Sequence, residues 1–244
     1  MLDIHAHILP AVDDGARDLE TALQLLEMMW EQGITHVVAT PHFDALSQSI
    51  EEFEYSVAKA YNELRKATDG KELPEVSLGS EVFYFSGIGK SSGISDLTLC
   101  RSDYLLLELP SCKITTDMIK DISNLRERLG IVPIIAHIER YACERGFKSL
   151  LALVERGEVY AQINAASVID SPFKKMALKL IKKGYISFIA TDTHSVLTRP
   201  PRMSQALEEI EKRFGKRTRD RFISNSQRLC KEIFRVPRGR KDEQ

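Results

Sequence analysis

Short apolar runs at residues 2–5, 34–40, 76–79, 104–108, 132–137, 160–164 and 186–191 alternate with longer stretches in which apolar positions recur every three or four residues. The runs read as strands and the stretches as helices. Leu19, Leu23, Leu26 and Trp30 predict a first core-facing helix, stopped by Gly33. Residues 50–67 repeat the pattern with many charges, 116–129 follow with Gly130 as the stop, and 173–183 end at Gly184. Strand and helix in alternation predict an α/β fold in which a crossover helix feeds each strand of a parallel sheet or barrel.

The polar residues then fall in a pattern of their own. His5 and His7 stand two apart in the first run, and the period of two in a strand lets both imidazoles aim at one ion. Thr40-Pro41-His42 follows the second run and Ser80-Glu81 the third, while Glu108 ends the fourth. His137, Glu139 and Arg140 follow the fifth, and Asp192-Thr193-His194 the seventh. In a parallel α/β barrel the C-terminal ends of the strands share one rim, where active sites are built. An isolated His42 or His137 is ordinarily a hydrogen-bonded structural residue. Coincidence at six strand ends is a different matter, because five of the six histidines lie there and only His36 does not. Imidazoles and carboxylates packed together need a cation, which makes the cluster a candidate metal site. A nitrogen and carboxylate donor set without thiolate suits Mn, Fe or Zn, and nine candidates allow two or three ions.

Composition narrows the reading. At 244 residues and 43% hydrophobic, the chain fits a single barrel-sized domain over residues 1–234, with a charged tail at 235–244 expected to be disordered. The formal net charge of −1, with acids and bases mixed, argues against nucleic acid as a partner. No signal-peptide pattern and no apolar stretch of about 20 residues occurs, so a cytoplasmic protein without membrane insertion is expected. None of Cys100, Cys112, Cys143 and Cys230 has an Arg six positions on, which excludes a Cys-x5-Arg phosphate loop. Gly89-Lys90-Ser91 invites a P-loop reading, but its first glycine would have to stand at Tyr84. The Gly/Ser-rich segment 86–93 is expected instead to be a mobile lid. Phe83, Tyr84 and Phe85 are candidates for an aromatic wall. The basic residues Lys212, Arg213, Lys216, Arg217, Arg219 and Arg221 fit a solvated helix face. Arg140 and Arg199, in contrast, can lean over the rim as planar forks for phosphate.

These stretches, from Asp3-Ile4-His5-Ala6-His7 through Val12-Asp13-Asp14-Gly15, Thr40-Pro41-His42, Ser80-Glu81, Glu108-Leu109-Pro110, His137-Ile138-Glu139-Arg140 and Gln162-Ile163-Asn164 to Asp192-Thr193-His194 and Arg199-Pro200-Pro201, occur in order over residues 2–201. They resemble the PHP (polymerase and histidinol phosphatase) superfamily, and within it the manganese-dependent bacterial protein-tyrosine phosphatases of capsule and exopolysaccharide synthesis. The resemblance implies a distorted seven-stranded TIM-like barrel. It also implies three metal ions, Mn2+ before Fe or Zn, held by His5, His7, Asp14, His42, Glu81, Glu108, His137, Asp192 and His194. Asp13 stands beside Asp14, and only alignment of the motif favours the second. Arg140 and Arg199 are implied to bind phosphate, and His42 to assist catalysis.

The implied reaction is attack of a metal-bound hydroxide on the phosphorus of a phosphotyrosyl protein, with the tail of a bacterial tyrosine autokinase as partner. A phenolate leaving group, with a pKa near roughly 10, needs little acid assistance. Rival readings are a histidinol-phosphate or nucleotide phosphatase on the same scaffold, and a non-catalytic metal-binding module. An amidohydrolase also begins with His-x-His, but its bridging lysine has no counterpart here, since Glu81 and Glu108 occupy those strand ends.

Overall fold

Nine parallel strand segments curl into the α/β framework, which a computed structural model describes over residues 1–234. The tail expected at 235–244 lies outside the described residues. Strands β1 (Leu2–Ala6), β2 (His36–Ala39) and β4 (Glu75–Leu78) form one sheet. The other runs in the order β3 (His42–Phe43), β5 (Glu81–Phe83), β6 (Tyr104–Glu108), β7 (Val132–Ile135), β8 (Tyr160–Asn164) and β9 (Phe188–Ala190). Seven unbroken strands are therefore not what is observed. The second and third runs each stop and restart, at Thr40-Pro41 and at Gly79-Ser80. Pro41 has no N–H to give a ladder, and at Gly79 a Cβ would lie 2.8 Å from Leu99 Cδ2. Contact survives across both breaks through Gly79 N–H to Ala39 O and Glu81 N–H to Pro41 O, at 2.9 and 3.1 Å.

The curl brings the two ends of the framework together. Ala6 bridges Thr193, with Asp192 N–H donating to His5 O and His7 N–H to Thr193 O, both at 2.9 Å. Buried Asp3 adds a side-chain stitch, accepting from Thr191 N at 3.1 Å and from its hydroxyl at 2.5 Å. Burial is the main cause that lifts the Asp3 carboxyl to about 6, against the hydrogen bonds from Thr191.

Among the described residues eight α-helices pack around the strands: α1 (Leu19–Glu31), α2 (Ile50–Thr68), α3 (Thr116–Leu129), α4 (Phe147–Glu155), α5 (Ala165–Ile169), α6 (Lys174–Lys182), α7 (Met203–Phe214) and α8 (Lys216–Ile233). Local chemistry sets their limits. Asp18 caps α1, Ser49 and Glu52 form a capping box on α2, and Gly130 closes α3 at φ 70°. The buried stripe of α1 is Ala22, Leu25, Leu26 and Met29, while Trp30 is exposed. The helix is as predicted; Leu26 is buried, Leu19 and Leu23 pack partly buried against the core, and the face is turned enough to leave Trp30 in solvent.

The expected crossover helix before β6 is replaced by three short 3-10 turns between Ile88 and Arg101. Segment 86–93 is no free lid. Gly87 N–H donates to the Asp121 carboxylate of α3 at 2.8 Å, Ile88 and Gly89 are buried, and a Cβ on Gly89 would meet Asn124 Cβ and Asp121 O at 2.5 Å.

Two apolar clusters sit on either side of the sheet. The outer one packs the helices onto residues such as Val37, Ala39, Leu105, Leu107 and Ile135. The inner one gathers Leu2, Ile4, Leu106, Ile134, Phe188 and Ala190 with Leu229 and Ile233 of α8. Helix α8 is also tied to β1, since the Ser226 hydroxyl donates to Leu2 O at 2.8 Å and accepts from Leu2 N at 3.0 Å. The N-terminal end of the enclosed space is thus filled with side chains. What stays open is the opposite rim. Among the described residues no helix is long and apolar enough to cross a membrane.

Candidate metal centre

A bulge in β1 aims the first two histidines. The register runs Leu2 to His36 and Asp3 to Val37, then Ala6 to Ala39, so three steps on β1 match two on β2. Leu2 and Ile4 join the inner cluster, whereas Ala6 joins the outer one. Strict alternation would have put His5 with Asp3, on the side away from Ile4. The extra residue resets the phase, and His5 and His7 both turn inward on either side of Ala6. At the far end of the sheet His137 and Asp192 hold φ of 32° and 51°, in the left-handed region that residues other than glycine avoid.

Glu81 stands at the middle of the inward-facing residues. Its Oε2 lies 3.0 Å from His5 Nε2, 3.2 Å from His7 Nε2 and 3.2 Å from His42 Nδ1, and its Oε1 lies 2.9 Å from His137 Nε2. Glu108 approaches His137 at 3.4 Å and His42 at 3.8 Å. Asp14 approaches His194 at 3.4 Å and His42 at 3.5 Å. Asp192 Oδ1 faces His5, His7 and His194 at 3.4, 3.7 and 3.6 Å. All nine residues proposed from the sequence as ligands therefore meet at one rim. Donor atoms of three overlapping groups, His7/Asp14/His42/His194, His5/His7/Glu81 and His42/Glu81/Glu108, lie close enough to hold an ion.

The far nitrogens of the imidazoles test whether a cation fits. His7 Nδ1 lies 2.6 Å from the Asp13 carboxylate, which takes a proton there. His194 Nδ1 donates to Asp192 O at 3.0 Å. Gln162 has its amide orientation fixed by accepting from His137 N at 2.8 Å and donating to Asn164 Oδ1 at 2.9 Å, and the same Oε1 accepts from His5 Nδ1 at 3.3 Å. In the neutral ring each of these contacts leaves a lone pair on Nε2. His5 Nε2 and His7 Nε2 are only 3.1 Å apart, and buried His194 Nε2 has no hydrogen-bond partner. Lone pairs pointed at each other and at carboxylates are what a divalent ion satisfies. The donor set fits the metal.

Electrostatics agree. Five carboxylates, on Asp13, Asp14, Glu81, Glu108 and Asp192, stand against two guanidiniums, on Arg140 and Arg199. Burial and the charge of Glu81 push Glu108 up to about 7. His7 is raised to about 10: burial opposes its protonation, and the hydrogen bonds to Asp13 and Glu81 outweigh it. His194 falls to about 4, through burial and then the charge of His7. Protons and metal compete for the same nitrogens.

The geometry also separates Asp13 from Asp14. Asp13 accepts from His7 Nδ1, from Gly15 N at 2.9 Å and from His42 N at 3.1 Å, so its oxygens are taken by neighbours. Asp14 keeps an exposed carboxylate facing His42 and His194. Gly15 has no alternative, because a Cβ there would lie 2.2 Å from His7 O.

Arg140 and Arg199 converge as expected, each placing Nη2 2.8 Å from Asp192 Oδ2. Asn164 Nδ2 donates to the same oxygen at 2.5 Å. One oxygen of Asp192 thus serves the cations and the other the histidines. Sequence reading weighed Asp13 only as an alternative ligand to Asp14 and assigned no role to Tyr141, Gln162 or Asn164. The signal available for the last two was a pair of polar side chains two apart in an otherwise apolar buried strand. Tyr141 accepts from Leu109 N at 3.0 Å with its hydroxyl 3.2 Å from His137 Nδ1.

Other expected features fall elsewhere. Tyr84 and Phe85 pack against the outer core, and the Tyr84 hydroxyl donates to Asp121 at 2.9 Å, so an aromatic wall of three does not form. In the basic cluster Arg213 pairs with Glu209, Arg219 pairs with Glu211 and Asp220, and Arg221 lies over Phe222. His36 faces Glu75, away from the rim.

The chain matches, over residues 1–231, the family model described as capsular polysaccharide synthesis, CpsB/CapC. It is 32% identical to the tyrosine-protein phosphatase YwqE of Bacillus subtilis, over 97% of this chain and 95% of that one. It is 30% identical to the tyrosine-protein phosphatase CpsB of Streptococcus agalactiae serotype V, over 96% of this chain and all of the other. In structure it superposes with a TM-score of 0.81 and 28% identity, over 97% of this chain and 98% of the other, on a chain from the crystal structures of YwqE from Bacillus subtilis and CpsB from Streptococcus pneumoniae, metal-dependent tyrosine phosphatases. A matched family model along nearly the whole described length, and relatives with the same extent, lead to one statement: this chain belongs to the CpsB/CapC family.

Proposed function

We propose that the chain is a cytoplasmic, metal-dependent protein-tyrosine phosphatase of capsule or exopolysaccharide synthesis. The observation that carries the reading is the convergence of imidazole lone pairs and carboxylates on Glu81 beside two guanidiniums on Asp192. The nine strand segments count as a distorted seven-stranded barrel if β2 continues as β3 and β4 as β5, and residues 1–234 form its one domain.

The distances favour three positions. His5, His7, Glu81 and Asp192 would hold one ion, Glu81, Glu108 and His137 a second, and Asp14, His42 and His194 a third. Nitrogen and carboxylate donors suit Mn, with Fe and Zn as alternatives. Such a cluster supplies Lewis acidity, neutralising phosphoryl charge and generating a nucleophile from water near neutral pH.

The chain's own residues do the rest. Arg140 and Arg199 bind the non-bridging phosphate oxygens through the N–H groups not engaged by Asp192, and hold the ester in line. Asn164 and the two arginines keep Asp192 turned so that one oxygen faces the histidines. His42, half-exposed with a carboxylate near each ring nitrogen, would hold the third ion through Nε2, which leaves Nδ1, toward Glu81, as its one proton-bearing atom. The phenolate leaves without a strong acid. A phosphotyrosyl tail of a bacterial tyrosine autokinase is the proposed partner.

The experiment is metal analysis of the purified protein, with turnover of phosphotyrosyl peptide and of histidinol phosphate measured in parallel. The expected result is bound divalent metal and metal-dependent turnover of the peptide. Preference for histidinol phosphate, or metal without turnover, defeats the proposal.

A further inference from the structure

A cleft of about 400 Å³ opens at the side of the candidate metal centre, lined by Arg140, Asp192 and Arg199 together with Pro172, Phe173 and Pro200. Its volume is within the range of about 300–1,000 Å³ usual for small-molecule sites. Phe173 is exposed, at 37%, in the turn between α5 and the amphipathic surface helix α6. A single exposed ring is ordinary on a protein surface, but this one lines the same cleft as the two phosphate-binding candidates.

Both walls are fixed. On one, Phe173 N donates to Ser171 Oγ at 3.1 Å, Lys174 N to Ser171 O at 3.0 Å and Lys174 Nζ to Ile169 O at 2.6 Å. On the other, Arg199 N donates to Ser195 Oγ at 3.0 Å and Thr193 Oγ1 to Arg199 O at 2.8 Å, and Pro200-Pro201 follows. Two prolines and a phenylalanine offer flat apolar surface and no side-chain hydrogen bond. Polar groups of Ser167, Asp170, Ser171, Thr198 and Arg202 line the rest of the cleft, so a peptide backbone would lose its water without gaining partners only along the strip between Phe173, Pro172 and Pro200. An aryl ring loses little by the same transfer.

We propose that this cleft is the aryl subsite of the enzyme, and that Phe173 selects aromatic over aliphatic phosphate monoesters. The ring of a phosphotyrosyl side chain lies against Phe173 between Pro172 and Pro200 while its phosphate reaches Arg140 and Arg199. A phosphoseryl side chain carries its phosphate one carbon from Cα and brings backbone into the cleft instead of a ring. The inference rests on the phosphatase reading and adds the residue that sets its substrate class. Phe83, Tyr84 and Phe85 are not needed for it.

The test uses competition by phenylphosphonate and methylphosphonate on the full-length, manganese-loaded protein, so that leaving-group chemistry does not enter. In the parent protein phenylphosphonate binds tighter. In Phe173→Ala and Phe173→Leu its advantage over methylphosphonate falls about tenfold, the value of one aromatic contact with its buried area. The methylphosphonate constant and the metal content stay unchanged, and Phe173→Tyr keeps the preference. An undiminished aryl preference in both Ala and Leu variants, or equal weakening of the two ligands, overturns the subsite. Failure of the metal-loaded parent to turn over phosphotyrosyl peptide overturns the phosphatase reading itself, a separate result.

Discussion

Asp13→Asn is close to isosteric, yet the geometry makes it a severe change. Asp13 accepts three hydrogen bonds, from Gly15 N on Oδ1 and from His7 Nδ1 and His42 N on Oδ2. These contacts hold its carboxyl down at about 2, burial notwithstanding. An asparagine has one acceptor oxygen. If that oxygen stays with Gly15, the amide NH2 meets the His42 N–H donor and presents a proton to His7 Nδ1. The imidazole must then carry its own proton on Nε2, the nitrogen that faces Glu81 and the candidate metal. If the amide flips, Gly15 N–H loses its acceptor instead. Loss of an oriented partner of this kind costs metal affinity about 10- to 100-fold, or roughly 1.4–2.7 kcal/mol. One buried donor left unsatisfied costs a further 1–3 kcal/mol or so of stability. Asp14→Asn is the control, since its exposed carboxylate is a candidate ligand and contributes little to folding. Titration with Mn2+ against a competing chelator measures the first effect, and denaturant unfolding of the metal-free proteins the second. Asp13→Asn should lose both affinity and stability, and Asp14→Asn affinity alone. An Asp13→Asn protein with metal affinity within twofold of the parent and undiminished stability refutes the account, whereas loss of stability alone identifies the flipped amide.

Three further outcomes follow from the same geometry. Gly15→Ala places a Cβ 2.2 Å from His7 O, so the loop must move, and metal content by elemental analysis should fall together with the melting temperature. Arg140→Lys and Arg199→Lys keep the charge but lose the planar fork that serves Asp192 and phosphate together; each should cost about 2 kcal/mol, roughly thirtyfold in kcat/KM, with metal content unchanged. Asp3 binds its proton more tightly folded, at about 6, than its ordinary value of 3.8, so its contribution to stability is full below about pH 4 and is lost as pH rises through about 6. In Asp3→Asn one oxygen serves Thr191 N and His5 N, and the Thr191 hydroxyl rotates to accept from the amide. Denaturant unfolding should show this variant gaining up to about 3 kcal/mol over the parent at pH 8 and nothing at pH 4, and a constant difference across that window rejects the account.

The order of the elements was legible because period two and period 3.6 alternate so plainly along the chain. Breaks within strands were not. Pro41 is visible as a missing donor, but Gly79 is required by the approach of Leu99, twenty positions on, which no local pattern records. On α1 the expected stripe is rotated rather than absent: Leu26 is buried and Leu19 and Leu23 pack against the core, while Trp30 is left exposed. Segment 86–93 looked mobile by composition, and its glycines instead allow the backbone to pack against Asp121 and Asn124 of α3.

The site divides along another line. Residues that would touch metal or phosphate were visible because imidazole, carboxylate and guanidinium at strand ends have no cheaper explanation once several converge. Their supports were not, because Gln162, Asn164 and Tyr141 act through hydrogen bonds to partners 25, 28 and 32 residues away. The β1 bulge is the least visible and the most consequential of these devices. Asp3, His5 and His7 share a parity, and an unbroken strand would turn all three to one side. Asp3 instead bonds Thr191 while the histidines face Glu81. Strain at His137 and Asp192 fits the same logic. Left-handed backbone costs an L-residue about 1–2 kcal/mol, and an ordinary turn would have placed glycine at both. Glycine there would remove the imidazole that faces Glu81 and the carboxylate that accepts from the two arginines, so the strain is the cost of having side chains where the turn is sharpest.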